Sequence, residues 1–483
     1  MTTHSRDESM IREFQDHDAV GLAALVASGE TTPQELLESA IAQVERTNED
    51  INAVVTEMYD EAARFIEEDL GDDGPLRGVP YLLKDLRADY AGVPTTAGSR
   101  FFVDNVPNRD SELVRRIKAA GLVVFGKTNT PEFGGNVSTE PVLFGATRNP
   151  WNTERIAGGS SGGAAAAVAV GMVPAAHASD GGGSIRIPAA CCGVFGLKPT
   201  RGRNPAGPVF GEAWNGLSME HAITRTVRDS AAVLDATSGP GVGDPYWAPP
   251  PERPYLDEVS REPGILKIAY SVTAKSGVPV DPQYVIAVEQ TAAWLEGLGH
   301  QVEETEAEYD GIALGNAVKT IIGGNMMAAV RAHAIRVGRE PGEEDLEQVI
   351  QQRVALGDSL TATDYATAVQ TMHGVGRIVG EFMTEWDAVM TPTVARPPLG
   401  IGDLNTNTND VDTFLKNLYG FIPFTAVFNA TGQPAMSVPL HQDADGLPIG
   451  IQFAGRFGDE ATLFRLAGQL EREHPWSARR PTI

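Results

Sequence analysis

The sequence predicts an α/β fold in which a large, twisted, mixed β-sheet is flanked by helices on both faces. Apolar segments 78–84 and 122–125 have the length of buried strands, and a helical pattern over 110–120 lies between them. This strand–helix–strand order favours parallel pairing of the two strands. Small residues over 162–170 suit a tightly packed buried helix, and residues 310–385 are mainly helical in pattern.

The other elements follow from local signals along the chain. A helical pattern covers 19–47, where Thr32 is placed as an N-cap and Pro33 at the first helical position. A second helix over 57–70 ends at a turn rich in glycine and aspartate. Further along we expect a loop-rich stretch at 128–160, a strand at 173–178, a proline-rich and glycine-rich surface segment at 240–256, a strand at 267–270, a helix at 282–299, strands at 388–390 and 435–440, and a closing helix at 459–473.

The domain organisation is predicted from length and pattern. A chain of 483 residues would suit about three ordinary domains, but large α/β enzymes often form one longer unit. We expect residues 1–70 to form a helical segment packed on the core. Residues 71–483 would then form the main domain, with a helical insertion or cap at about 300–385.

Composition excludes several classes of protein. The chain carries 64 acidic and 38 basic residues, a net charge of −26, so its surface would repel nucleic acid. Its two cysteines, Cys191 and Cys192, are adjacent, which favours small core residues in a reducing cytoplasm. Residues 1–20 lack the apolar core of a signal peptide, and the apolar run 164–176 is shorter than the roughly 20 residues of a membrane span. We therefore expect no nucleic-acid partner and no membrane partner.

Two glycine-rich loops contain serines that could carry chemistry. The segment 158–163, Gly-Gly-Ser-Ser-Gly-Gly, opens the alanine-rich helix, but it lacks the Gly-Lys-Ser/Thr of a phosphate-binding loop. In the segment 179–184, Ser-Asp-Gly-Gly-Gly-Ser, three glycines allow backbone N–H groups to converge on one point. Such a cluster can stabilise an oxyanion, and Ser184 at its end is placed to attack a carbonyl carbon.

A serine nucleophile needs a base that takes its proton. The nine histidines are scattered, and none lies in a glycine-rich turn; His177, in an apolar strand, is interpreted as a satisfied core residue. A lysine can replace histidine because burial disfavours its charged form. Lys84 ends an apolar strand and suits that role, although the sequence leaves open a structural ion pair with Asp85.

The chain resembles the amidase signature family over roughly residues 20–475. The similar blocks occur in the family's order, at 78–85, 126–133, 149–151, 158–163, 179–188, 193–200, 428–435 and 446–452. This resemblance implies the amidase signature fold, and it implies a serine hydrolase that cleaves carboxylic amide bonds without a metal or another cofactor.

The resemblance also implies catalytic roles at matching positions. Ser184 would attack the amide carbonyl and form an acyl-enzyme, Ser160 would relay the proton, and an uncharged Lys84 would accept it. Ser160 is preferred over Ser161 because the family places relay and nucleophile 24 positions apart, as here (184 − 160 = 24). A cis peptide bond after Gly159 is implied too. The oxyanion would be held by the backbone N–H groups of Gly181, Gly182, Gly183 and Ser184.

The resemblance also implies a pair of residues that supports the loop of the nucleophile and a set of residues that lines the substrate pocket. Asp180 and Arg186 would pair and brace the loop of the nucleophile. The stretch after Pro131 lines the acyl pocket in the family, which makes substrate-binding candidates of Gly134, Gly135 and Asn136.

One position departs from the common pattern of the family, and this difference bears on the substrate. Most family members have threonine or isoleucine where this chain has Gly181, and we expect the extra glycine to widen the oxyanion turn. With Ile187 and the two cysteines, it makes the chain similar to 6-aminohexanoate-cyclic-dimer hydrolases, aryl acylamidases and urethanases. This similarity implies bulky, aryl, nylon-oligomer or carbamate substrates. For the oligomeric state, a homodimer is one possible assembly.

The alternative is the glutamine-hydrolysing subunit of a tRNA-dependent amidotransferase. That subunit usually has glutamine where Ile187 stands here, and the acidic charge of this chain also counts against work on tRNA.

Overall fold

The computed structural model describes residues 14–482 and is built around an 11-stranded mixed β-sheet. In spatial order the strands are β1-β3-β2-β6-β8-β7-β12-β13-β11-β9-β10, and β4 pairs with β5 in a separate hairpin. The strands are β1 Val54–Glu57, β2 Pro80–Lys84, β3 Val123–Thr128, β4 Arg148–Asn149, β5 Asn152–Ile156, β6 Ala175–Asp180, β7 Phe195–Lys198, β8 Met219–Thr224, β9 Lys267–Tyr270, β10 Gln301–Glu304, β11 Ala388–Pro392, β12 Ala435–Gln442 and β13 Pro448–Gly455.

Parallel pairing at the centre of the sheet brings two loops to the same edge. Strand β2 pairs in parallel with β3 on one side and with β6 on the other, which confirms the predicted parallel arrangement. The carboxyl ends of parallel strands lie at one edge of a sheet. Lys84 at the end of β2 and Asp180 at the end of β6 therefore lie at the same edge, where the two glycine-rich loops also begin or end.

Helices pack against this sheet, and the predicted α/β class is confirmed. Thr32 caps the second helix, where its side chain and Glu35 form a reciprocal capping box, with Pro33 at the first position as predicted. The helices are α1 Ala19–Ser28, α2 Pro33–Ile51, α3 Tyr59–Arg64, α4 Glu112–Ala119, α5 Gly162–Val170, α6 Arg186–Cys192, α7 Val227–Thr237, α8 Tyr255–Val259, α9 Pro282–Gly297, α10 Gly311–Val337, α11 Gln348–Ser359, α12 Ala362–Phe382, α13 Val411–Phe421, α14 Ala426–Thr431 and α15 Glu460–Glu473.

Several elements differ from the sequence-based expectation. The helical pattern over 19–47 is two helices, because Gly29 adopts φ 76° and ends the first one. Strand β1 lies inside the expected N-terminal helical segment and joins one edge of the sheet. Strand β10 joins the opposite edge, so the helical insertion begins at α10 instead of about residue 300. The division at residue 70 stays a prediction.

The hydrophobic core is largely continuous. One cluster of buried side chains runs from Phe14 to Trp476 and includes both N-terminal helices, the alanine-rich α5 and the sheet; Cys191 and Cys192 are buried in it, as expected. The insertion contributes smaller clusters around Ile321 and Met326 of α10. No helix within residues 14–482 is long and apolar enough to cross a membrane.

Candidate active site

A buried lysine at the carboxyl end of β2 contacts two serines. The Lys84 side chain is fully buried, and its Nζ donates hydrogen bonds to Ser160 Oγ at 2.7 Å and to Ser179 Oγ at 2.9 Å. Burial lowers the pKa of the Lys84 amine from 10.5 to about 7; the carboxylate of Glu220 opposes that shift and Arg87 adds to it. A large fraction of Lys84 is therefore uncharged near neutral pH.

The ion pair that the sequence left open for Lys84 is not formed. Asp85 Oδ1 instead lies 3.8 Å from Lys127 Nζ. The Asp85 carboxylate also accepts hydrogen bonds from the backbone N–H and the side-chain hydroxyl of Thr96. Asp85 thus has a cationic partner on the neighbouring strand β3. Lys84 is left with hydroxyl partners, which suits an amine that must give up its charge.

The two serines of the first loop have different partners. The Gly159–Ser160 peptide bond is cis, as the resemblance implied, and the Ser160 hydroxyl meets Lys84. The Ser161 hydroxyl instead donates to the Ser179 carbonyl at 3.2 Å and accepts the Ser179 N–H at 3.3 Å. The Ser161 N–H donates to the carbonyl of Ser184 at 3.3 Å. Ser161 therefore ties the two loops together, whereas Ser160 faces the amine.

Ser184 ends the second glycine-rich loop, two residues before α6 begins at Arg186. The loop turns at Gly183, which adopts φ 130°; a Cβ there would lie 2.4 Å from Thr425 Oγ1, so only glycine fits. The Gly183 N–H donates to Asp180 Oδ1 at 2.7 Å. That N–H already has an acceptor within the protein, which argues against the oxyanion role predicted for Gly183; the role stays a prediction. Within residues 14–482, the N–H groups of Gly181, Gly182 and Ser184 have no acceptor.

The loop is braced by the buried pair that the sequence predicted. Arg186 Nε and Nη2 donate to the two oxygens of Asp180, each at 2.9 Å. Burial raises the pKa of the Asp180 carboxyl, but the charge and hydrogen bonds of Arg186 outweigh it and hold that pKa below its usual value. Asn429 Nδ2 donates to Asp180 Oδ1, and Arg186 Nη1 donates to Gln452 Oε1 and the Thr425 carbonyl.

The three predicted pocket residues have different surroundings. Gly134 lies close to Ser160, because a Cβ on Gly134 would be 3.2 Å from Ser160 Oγ. Gly135 faces the insertion, and its carbonyl accepts a hydrogen bond from Arg353 of α11. The side chain of Asn136 is bonded within the protein, where it donates to the Leu404 carbonyl at 2.6 Å and accepts the Val137 N–H at 2.8 Å.

Gly181 does not widen the turn as expected from the sequence. A Cβ on Gly181 would lie 2.8 Å from two ring carbons of Trp214. The space that threonine or isoleucine would use is therefore filled by an indole ring.

Sequence reasoning missed three residues at the site. Ser179 is the second hydroxyl on Lys84, and a serine on the buried strand β6 was its signal. Glu220 Oε2 lies 3.0 Å from Nε2 of His177, whose Nδ1 accepts the Lys84 N–H at 3.2 Å. His177 is thus the satisfied, buried residue that the sequence predicted. Asn429 lies in the block 428–435 and could have been found through it.

Comparisons with known proteins identify the family of this chain. The family model described as Amidase matches residues 35–464. The chain is 39% identical over 482 residues to the 6-aminohexanoate-cyclic-dimer hydrolase of Paenarthrobacter ureafaciens, with 96% of each chain covered. The solved structure of 6-aminohexanoate cyclic dimer hydrolase complexed with substrate superposes with a TM-score of 0.91, at 39% identity and with 96% and 98% of the two chains covered. A bacterial aryl acylamidase superposes with a TM-score of 0.86, at 28% identity and with 96% and 99% covered. The chain therefore belongs to the amidase signature family and is an amide hydrolase, an enzyme that acts on carbon–nitrogen bonds.

Proposed function

We propose that this amide hydrolase works through an acyl-enzyme on Ser184. Uncharged Lys84 takes a proton from Ser160, which takes the proton of Ser184, and Ser184 Oγ bonds to the amide carbonyl carbon. When the C–N bond breaks, the proton returns along the same route to the leaving amine. Water then repeats the attack and releases the carboxylic acid.

One observation carries this proposal. Lys84 Nζ lies 2.7 Å from Ser160 Oγ in a fully buried setting that brings the pKa of the amine to about 7. A general base works best when its pKa lies near the operating pH. An ordinary surface lysine would be charged at that pH and could not accept a proton.

The free backbone N–H groups complete the proposed chemistry. Those of Gly181, Gly182 and Ser184 supply donors for an oxyanion, and the Asp180–Arg186 pair holds their loop in place. Of the pocket candidates, Gly134 lies next to Ser160 and is proposed to line the substrate pocket. Gly135 and Asn136 act on the pocket through their contacts with Arg353 and Leu404.

We infer a small-molecule substrate of the bulky amide, anilide, nylon-oligomer or carbamate class. The similarity to the cyclic-dimer hydrolase and to the aryl acylamidase supports this choice. The cysteine usage supports a cytoplasmic location, and the acidic surface argues against a nucleic-acid partner. A homodimer is compatible with the proposal and is tested by the mass of the purified protein in solution.

The catalytic assignment is tested by single substitutions and a substrate panel. Purified wild type and the variants Ser184→Ala, Ser160→Ala and Lys84→Met are assayed on amides, anilides, carbamates and cyclic nylon oligomers. We expect each variant to lower kcat by a factor on the order of 10⁴, because the three side chains act as one unit. Mass spectrometry of a slow substrate should find the acyl group on the peptide that contains Ser184.

Ser161→Ala is the matched control for the relay. Its hydroxyl bonds to Ser179 rather than to Lys84, so we expect a much smaller loss than for Ser160→Ala. Equal losses at the two serines, or full turnover by Lys84→Met, would refute the assignment. Glutamine as the one good substrate, with a second protein needed for activity, would favour the amidotransferase subunit instead.

A further inference from the structure

Trp214 occupies the space beside the first glycine of the oxyanion loop. Its ring carbons Cε3 and Cζ3 lie 2.8 Å from the position of a Cβ on Gly181. Real Cβ atoms do not approach other atoms so closely, so a larger residue at Gly181 and the present position of the indole exclude each other. The glycine and the tryptophan therefore form a matched pair.

The backbone around Trp214 fixes this position. Trp214 and Asn215 adopt φ 52° and 53°, and Gly216 adopts φ 72°, which makes three consecutive residues left-handed. Left-handed backbone at two residues other than glycine is costly and persists only where surrounding contacts enforce it. One such contact is Arg87, whose guanidinium carbon lies 5.5 Å from the centre of the indole ring.

The apolar surroundings of Trp214 join the oxyanion loop to the helical insertion. The half-buried indole packs against a cluster that contains Leu314 and Ile321 of α10. It also packs against a second cluster that contains Met326 and Phe133. Phe133 precedes Gly134, the residue next to Ser160 Oγ. The indole thus belongs to an apolar wall that runs from Gly181 to the relay serine.

We propose that Trp214 is a specificity-determining residue that binds the acyl chain of the substrate. This rests on the proposed function, in which the Gly181 N–H holds the carbonyl oxygen and the leaving nitrogen faces Ser160 and Lys84. The remaining substituent of the carbonyl carbon is the acyl chain, and it meets the wall beside Gly181. An indole offers a flat apolar surface, so the site takes extended, uncharged acyl chains in preference to short ones.

The test measures binding without turnover. In the Ser184→Ala background, isothermal titration calorimetry gives dissociation constants for acetamide and hexanamide, with and without Trp214→Ala. We expect hexanamide to bind more tightly than acetamide, and Trp214→Ala to reduce that ratio about tenfold, the scale for lost apolar pocket contacts. Trp386→Ala is the control, because Trp386 is also half-buried against the Ile321 cluster; it should leave the ratio unchanged.

The matched pair gives a second readout. Gly181→Thr should weaken hexanamide binding, and Trp214→Ala added to it should recover part of the loss, a coupling that independent sites do not show. An unchanged chain-length ratio in Trp214→Ala, or hexanamide binding no better than acetamide, would overturn the proposal. Because no step requires hydrolysis, inactivity of the wild-type enzyme on every amide would refute the proposed function alone.

Discussion

The amine of Lys84 is bonded to two hydroxyls, and the carboxylate of Glu220 acts on it through space. Burial lowers the pKa of Lys84 to about 7, and Glu220 opposes that shift. Because only the uncharged amine accepts a proton, kcat/KM should rise with pH through about 7 and level off above it. Glu220→Gln removes the charge that raises this pKa, so the rise should move to lower pH. The measurement is kcat/KM between about pH 5 and pH 9.

Glutamine is chosen at residue 220 because its amide oxygen can still accept the hydrogen bond from Nε2 of His177. The control is Glu303→Gln on the exposed edge strand β10, which should leave the profile in place. A profile of Glu220→Gln that coincides with wild type, or moves to higher pH, would show that Glu220 does not set the charge of Lys84.

At the scale of elements, two helices of the insertion meet through a pair of glycines. A Cβ on Gly357 of α11 would lie 2.3 Å from the carbonyl oxygen of Gly323 on α10. The same helix α11 carries Arg353, which donates to the Gly135 carbonyl beside the site. We expect Gly357→Ala to destabilise the fold by about 1–3 kcal/mol through overpacking, and to lower kcat/KM as α11 shifts. Thermal unfolding and steady-state kinetics measure both effects.

The control is a glycine-to-alanine substitution at Gly374, where the added Cβ would have no close contact. It lies within α12, and a Cβ there would meet no atom within 4 Å. Gly374→Ala should therefore stabilise the protein by about 0.5–1 kcal/mol, because alanine loses less backbone entropy in a helix. If both alanine variants changed the unfolding temperature in the same direction, close packing of α10 on α11 would not be the cause.

The sequence predicted the helices and strands that a few neighbouring residues identify. It missed strands that can be recognised only when they pair with another strand. The capped helix α2 and the apolar strand β2 were found, since caps and apolar runs are visible in a few residues. Strand β10 was missed because its alternating, largely exposed residues resemble a loop until β9 pairs with it. The same holds at the site: residue types identified Lys84, but only geometry shows that Asp180 binds the N–H of Gly183.

At the scale of the whole molecule, the net charge of −26 should make stability depend on salt. Excess negative charge repels itself in the compact state, and salt screens exposed charges beyond about 10 Å at 0.1 M. Exposed ion pairs such as Arg331–Asp358 oppose this trend because salt weakens them, but each contributes little. The buried Arg203–Glu460 pair is shielded from salt. We therefore expect the unfolding temperature to rise as NaCl increases from about 0.02 M to 0.5 M at constant pH. A falling unfolding temperature would mean that exposed ion pairs outweigh the overall repulsion.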